Sequence, residues 1–362
     1  MITKNQIWKL YGTQFREMTK ELLFKTELAD LIGNRKTRVA IKPNLVVASP
    51  AEFGGTTHPE VVAGIVEYLQ ENQFENIAIV EGSWVGDRTS DAYEYCGYRQ
   101  LCEKYGVPFV DGQKQKWHAV DCAGMKLNVI DYVDKIDFLI NVPVVKGHCQ
   151  TKMTCALKNL KGLLPNTEKS RFHRMGLHKP IAHLQTAIRQ DFIVVDHICG
   201  DLDFEEGGNP VQTNRMYLGT DAVQLDAYGR SLMGLNPEDV PYIELCEKYG
   251  GGRAAWDPGD LISLNEPVAC ESYPTPRGIA ARLTRNVHQD QACSACFAAL
   301  VRALYAAGHE VKEEIYIGQG WQGKTPEGLG IGKCCRGAET CVMGCPPTAE
   351  AIVRALEERH WA

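Results

Sequence analysis

The chain has 362 residues, a net charge of −6, 44% hydrophobic residues and 23% charged residues. That length allows two domains, and the composition is that of an ordinary globular protein, which excludes a disordered or low-complexity chain. The first residues mix charged and apolar side chains throughout and no run approaches the roughly 20 apolar residues of a membrane span, so neither a signal peptide nor an anchor is expected and the cytoplasm is the expected compartment.

Segment 37–47, TRVAIKPNLVV, reads as a first strand ending at Lys42, because Pro43 has no N–H to give to a ladder. Thr57 and Glu60 have capping-box spacing with Pro59 between them, which predicts a helix from about His58 to Gln70. There follow a strand at 76–83, a helix at 90–106, a strand at 137–147 and a helix at 153–164. A helix at 181–190, a strand at 192–201 and a helix at 221–234 complete the series. Apolar strands alternating with amphipathic helices predict an α/β fold, a mostly parallel sheet with helices on both faces. Segment 250–268 reads as an outer strand or connection. From residue 285 the pattern restarts with a helix at 291–308, a strand at 313–320, a loop at 328–335 and a helix at 346–358. The expected domains are therefore 1–284 and a cysteine-rich α/β tail, 285–362.

In open parallel sheets the polar work lies beyond the carboxyl ends of the strands. Here those ends carry Lys42 and Asn44, Glu81 and Ser83, Lys146 and His148, and Asp196 and His197, which predicts a convergent cleft. Between Phe138 and Arg189 there are nine lysines and arginines against the single acid Glu168, in a chain that is acidic as a whole. Lys158 and Lys161 share a helix face with Thr154. RFHRMGLH, with His173 and His178, looks like a loop able to close over the rim. Few aromatic residues interleave with the basic run, which argues against nucleic acid, so an anionic small molecule bearing carboxylate or phosphate is the expected partner. The acids that follow, Asp196, Asp201, Asp203, Glu205 and Glu206, are suited to pairing with the lysines, holding a hard cation or acting as bases.

Of fourteen cysteines, eight are scattered from Cys96 to Cys270 and read as core filling, and six crowd into 293–345. Cys293 and Cys296 form CSAC at a helix start, and Cys334, Cys335, Cys341 and Cys345 follow, the last in GCPP. A pair, a long return and a lone cysteine before proline suit a [4Fe-4S] cluster held by Cys293, Cys296, Cys334 and Cys345, with Cys335 and Cys341 as substitutes. Structural zinc and a CxxC redox pair remain the competing readings.

The stretches AIKPNLV, GGTTHPEVV, EGS, PVVKGHCQTKMTCALKNLKGLLP, DHICGDLDFEEGGNPV and GTDAVQLDAYG, followed by CSAC and GCPP, resemble the "domain of unknown function 362" family of iron-sulfur centre proteins over nearly the whole chain. The resemblance implies a cluster-bearing tail on an α/β body and no established reaction. The chain departs from the commoner arrangement in lacking a ferredoxin-like pair of dense cysteine motifs. Its KGH, lysine and asparagine pattern is also weakly similar to lactate racemase relatives. The resulting expectation is a [4Fe-4S] enzyme, an oxidoreductase, lyase or isomerase. In it Lys146 and His148 serve as substrate binder and acid/base, Lys158 and Lys161 as charge neutralisers, and Asp196 as base or histidine orienter. Two alternatives stand beside it: an electron-transfer or cluster-carrier protein that docks a redox partner at the rim, and a mononuclear metal enzyme using His58, His148 or His173.

Overall fold

The computed structural model describes residues 2–208, 210–267, 282–308 and 311–360; Cys270 lies outside them. The chain divides into two compact units, Met1–Gly147 with Thr151–Thr275, and His148–Gln150 with Pro276–Ala362. Its strands are β1 (Ile7–Tyr11), β2 (Val39–Pro43), β3 (Ile77–Glu81), β4 (Phe109–Asp111), β5 (Trp117–Cys122), β6 (Met125–Ile130), β7 (Phe138–Val142) and β8 (Lys146–His148). They continue with β9 (Lys152–Thr154), β10 (Phe192–Asp201), β11 (Pro210–Gly219), β12 (Leu261–Ser263), β13 (Val287–Gln289), β14 (Ile315–Ile317), β15 (Leu329–Ile331) and β16 (Thr340–Val342).

In the first unit an eight-stranded sheet has the order β12-β1-β11-β10-β7-β2-β3-β4. Strands β10, β7, β2, β3 and β4 are parallel, so their carboxyl ends share one edge. β11 runs antiparallel to both β10 and β1. The near-continuous apolar strands are explained by cover on both sides. Helices Phe15–Lys25 and Pro59–Glu71 bury Met18, Leu22, Val62, Ile65 and Leu69 on one face. Helices Ala156–Asn159, His178–Leu184, Ala222–Leu232 and Tyr242–Lys248 bury Leu157, Leu184, Val223 and Ile243 on the other. Full burial of each such side chain contributes about 1.5–3 kcal/mol.

Strand alternation decides where the polar residues point. Val39 and Ile41 enter the first core and Ala40 the second, so Lys42 follows Ala40 toward the helix at 156–159. Along β10, Phe192, Val194 and Ile198 enter the first core, which puts Asp196 on that side.

Several local expectations need correction. β2 includes Pro43, which stands opposite Val142. The Thr57 capping box does not form: His58 is the N-cap residue, and Thr57 Oγ1 instead accepts from Asn44 N (2.8 Å) and donates to Val142 O (2.8 Å). The helix at 90–106 is two helices, Thr89–Tyr95 and Tyr98–Tyr105, separated at Gly97, whose φ of +79° suits only glycine without strain. The strand at 137–147 stops at Val142, before Pro143; KGH then pairs as β8 with β9, so Met153 and Thr154 are extended and the helix begins at Ala156. RFHRM is the end of helix Asn166–Met175, not a closing loop. β1 and β11 carry polar residues at half-buried positions and give no unbroken apolar run.

In the second unit β13, β14, β15 and β16 form a parallel sheet in chain order, with helices Ser294–Ala307 and Ala349–His360 packed on each other. Leu300, Leu304, Ile315, Ile317, Leu329, Ile331, Ile352 and Leu356 are buried, so this unit has an apolar core of its own. Segment 328–335, expected as loop, contains β15.

Candidate functional site

Beyond the parallel edge of the first unit stand Lys42, Asn44, Glu81, Ser83, Lys146, Asp196 and His197, all of them buried, whereas His148 belongs to the other unit. Lys42 is 0% exposed; its Nζ donates to Glu81 Oε2 (2.8 Å), Pro43 O (3.0 Å) and Asn159 Oδ1 (3.3 Å). Glu81 also accepts from Leu45 N (3.1 Å) and Gly82 N (2.6 Å). Burial pulls the Lys42 ammonium below its ordinary pKa, and Glu81 works against that pull. Asn159 Nδ2 donates to Asn141 Oδ1 (2.7 Å), and Asn141 Nδ2 donates to Ala156 O (2.9 Å), fixing the short helix against β7.

Lys146 is likewise fully buried, and its Nζ donates to Gly55 O (2.5 Å), Glu205 O (2.7 Å) and Asn44 Oδ1 (3.2 Å). Burial lowers it from 10.5 to about 8, partly opposed by Glu205 and reinforced by Lys158. Lys158, 3% exposed, is paired with the Glu205 carboxylate. Lys161, half-buried, faces His173 Nε2 at 3.3 Å. Lys169, 4% exposed, donates to Ser83 O (2.7 Å) and Gly82 O (2.9 Å), and burial lowers it to about 8 as well. Among the described residues Lys42 is thus paired with the Glu81 carboxylate and Lys158 with that of Glu205, whereas Lys146 and Lys169 bond only neutral oxygens.

Asp196, 0% exposed, orients a histidine, and that histidine is His58. Oδ2 accepts from His58 Nδ1 (2.9 Å) and His58 N (2.8 Å), and Oδ1 accepts from Ile198 N (3.2 Å). Burial opposes the His58 positive charge, but Asp196, aided by Glu52 and Glu60, outweighs it and raises the imidazole pKa. His148 belongs to the other unit, where its Nδ1 accepts from Gln150 N (3.0 Å). Each of His58, His148 and His173 thus has a different neighbour. Among the described residues no group of three or more His, Cys, Asp or Glu side chains is placed to hold a metal ion.

Sequence reasoning counted Lys169 only as one of the basic run and named Glu205 only among acids suited to pairing with lysines; it missed Asn141 and the pairing of Asp196 with His58. Lys169 sits in a polar helix, where nothing local marks it as buried. Asn141 was visible as a lone polar residue in an apolar strand.

In the second unit the cysteines sort by position. Cys293 and Cys296 follow β13 at the start of a helix, Cys334 follows β15 and Cys345 follows β16, while Cys341 lies inside β16. Cys296 hydrogen-bonds with Cys293, and burial and the nearby Cys345 and Cys334 push its thiol further up. Cys335 and Cys341 donate to carbonyls instead, to Gly318 O (3.8 Å) and Gly332 O (3.5 Å). Gly332 keeps the space beside Cys296 open: a β-carbon there would lie 3.2 Å from its Sγ, and the φ of +85° favours glycine. The described cysteines are all free, and no described helix is long and apolar enough to cross a membrane.

A family model described as "Domain of unknown function (DUF362)" matches residues 39–231. A thylakoid-associated protein of Synechocystis sp. is 26% identical over 255 residues, 66% of this chain and 76% of that protein. Two solved structures are similar at low identity. The lactate racemase apoprotein from Thermoanaerobacterium thermosaccharolyticum has a TM-score of 0.40 and 15% identity, over 60% of this chain and 54% of that one. A Thermotoga maritima protein has a TM-score of 0.38 and 14% identity, over 66% of this chain and 60% of that one. The chain thus covers less than two thirds of the length of either solved structure.

Proposed function

From the premise that the chain belongs to the DUF362 family, we propose that it is a cytoplasmic iron-sulfur enzyme whose C-terminal unit holds a [4Fe-4S] cluster and whose α/β body binds an anionic small molecule. The observation that carries the cluster is the sorting of the thiols. Cys293 hydrogen-bonds with Cys296, and Cys334 and Cys345 lie near enough to act on its charge, whereas Cys335 and Cys341 donate to carbonyls. Four thiols reached from three strand ends and a helix start, beside a glycine that leaves the space open, suit thiolate ligation. When bound, the cluster would supply an electron or a Lewis-acidic iron. The thiols must shed their protons to bind it, so loading is favoured as pH rises.

Charge balance at the strand ends supports the anion. Lys146 and Lys169 are bonded to neutral acceptors and burial lowers each to about 8, so at neutral pH each is a buried ammonium held at a cost and would gain from an incoming negative charge. Lys146 is accordingly assigned the contact with the substrate and the proton transfer, with Lys158 as its neighbouring cation, Lys161 as a further cation of the same basic segment and Asp196 as the carboxylate that orients His58.

Anaerobically purified protein should contain about four iron and four sulfide per chain. Cys293→Ser with Cys296→Ser should lose both, and Cys335→Ser with Cys341→Ser should keep both. Stoichiometric zinc without sulfide would overturn the cluster. Phosphate or malonate should raise the melting temperature more than chloride at equal ionic strength, and Lys146→Met should abolish the difference; an unchanged response in that variant removes the anion site.

A further inference from the structure

On the Phe15–Lys25 side of the sheet a cleft of about 710 Å³ opens over His58. Three carboxylates on its wall, Glu17, Glu52 and Glu60, have no ion-pair partner among the described residues. The one guanidinium there, Arg16, faces Glu67 at 3.6 Å. The imidazole itself is 97% buried by its 3% exposure, and the ring edge of Phe15 packs on it with centroids 5.2 Å apart. With Nδ1 committed to Asp196, the nitrogen left for the cleft is Nε2, which makes no hydrogen bond among the described residues. Asp196 is fixed by two further backbone N–H donors, so the ring cannot turn without breaking a buried contact.

We propose that this cleft binds a small cationic molecule bearing a primary amine, its ammonium facing Glu52 and Glu60 and donating to the neutral His58 Nε2. The sign follows from the wall, where the carboxylates outnumber the guanidinium and that guanidinium already has a partner. The acceptor follows from Asp196, which holds the Nδ1 proton and leaves a lone pair on Nε2. An imidazolium and an ammonium compete for the same carboxylates, so binding expels the Nε2 proton to solvent wherever His58 is protonated beforehand. The groups that set this competition are Asp196 on β10, Glu52 in the loop before His58, Glu60 on the helix it caps, and Glu17 and Arg16 on helix Phe15–Lys25. Affinity therefore rises with pH through the His58 titration and falls again as the amine loses its own proton. This site stands apart from the lysines and does not rest on the anion or the cluster.

Calorimetric titration of the full chain with 1,4-diaminobutane, in two buffers of different ionisation enthalpy, tests it. Saturable binding below about 10 mM, at least tenfold tighter than for 1,4-butanediol, with proton release near pH 6.5, is expected. Glu52→Gln with Glu60→Gln, both exposed and safe for folding, should weaken the amine about tenfold. His58→Gln should abolish proton release while thermal unfolding stays cooperative. Absence of saturable amine binding, equal binding of the diol, tighter binding of magnesium ion than of the amine, or proton release persisting in His58→Gln would each overturn the proposal.

Discussion

Replacing Lys146 by methionine isolates the electrostatics of the lysine edge. In the folded chain its pKa falls from 10.5 to about 8, a difference equivalent to about 3 kcal/mol against the charged form at neutral pH. The variant sheds that cost but strands Asn44 Oδ1, Gly55 O and Glu205 O without their donor, so the net change at pH 7 is the small difference of opposed terms. The pH dependence is sharper. Below the folded value both states are protonated and the penalty is complete. Between about 8 and 10.5 the unfolded chain holds a proton that the folded one has lost, so stability rises with pH and the penalty disappears above the unfolded value. From pH 7 to 10 the wild type should gain about 2.5 kcal/mol relative to Lys146→Met. Buried thiols and phenols that lose stability in alkali cancel in this difference, because both proteins share them. Urea titrations across that range, read by tryptophan fluorescence, measure it. Two parallel stability profiles would mean that Lys146 titrates normally, and the case for an anion-responsive lysine would fall with it. Added phosphate should move the window upward in the wild type alone, since a bound anion keeps the ammonium charged.

Gly162→Ala would drive a β-carbon into Glu81 Oε1 and Lys42 Nζ, so thermal melting should show a loss of at least about 1–3 kcal/mol, whereas Gly259→Ala, with nothing within 4 Å, should be close to neutral. Asp226 is fully buried, and burial raises its pKa from 3.8 to about 7 despite donation from Ala156 N (2.7 Å) and Leu157 N (3.3 Å). Its contribution is complete below the unfolded value and lost as pH climbs to about 7, so between pH 7 and 5 the wild type should gain about 2 kcal/mol over Asp226→Asn; identical acid profiles in urea would refute this. Removing iron by chelation should hasten proteolysis within 282–308 and 311–360 before the α/β body is cut, although the buried leucines and isoleucines of that unit slow complete unfolding; equal cleavage with and without iron would count against a cluster-dependent tail.

The sheet was legible because its parallel strands are buried on both faces and therefore read as unbroken apolar runs, of which FIVV in β10 is the clearest. β1 and β11 were not legible, since their half-buried positions admit Lys9, Gln212 and Arg215 and blur the pattern. The strand ends were legible for the same reason as the strands: a lysine or aspartate that closes an apolar run is conspicuous. Their partners were not, because pairing depends on where loops return. Nothing local says that Glu205 comes back to Lys158, or that Asp196 takes His58 rather than His148, since both depend on contacts separated by 47 and 138 positions. Thr57 shows the same limit at short range, because its hydroxyl has two possible uses and tertiary contact with Asn44 and Val142 outcompetes the helix cap.

The loop between β2 and the helix at 59–71 explains how one sheet edge holds buried side chains of opposite charge. Gly55 gives its carbonyl to Lys146, and three residues later His58 gives its N–H to Asp196. The same short stretch of backbone therefore presents the negative end of one peptide to the lysine and the positive end of another to the aspartate. Strand alternation does the rest: Lys42 stands with Ala40 on one face, Asp196 with Val194 and Ile198 on the other. Gly55 is fixed in this arrangement, because a β-carbon there would meet Glu206 O at 2.5 Å and push away the acidic loop that also supplies Glu205 to Lys158. Backbone packing thus ties the position of the cations to that of the His58 dyad, and a side chain at position 55 would disturb both sides at once even though it touches no titrating group.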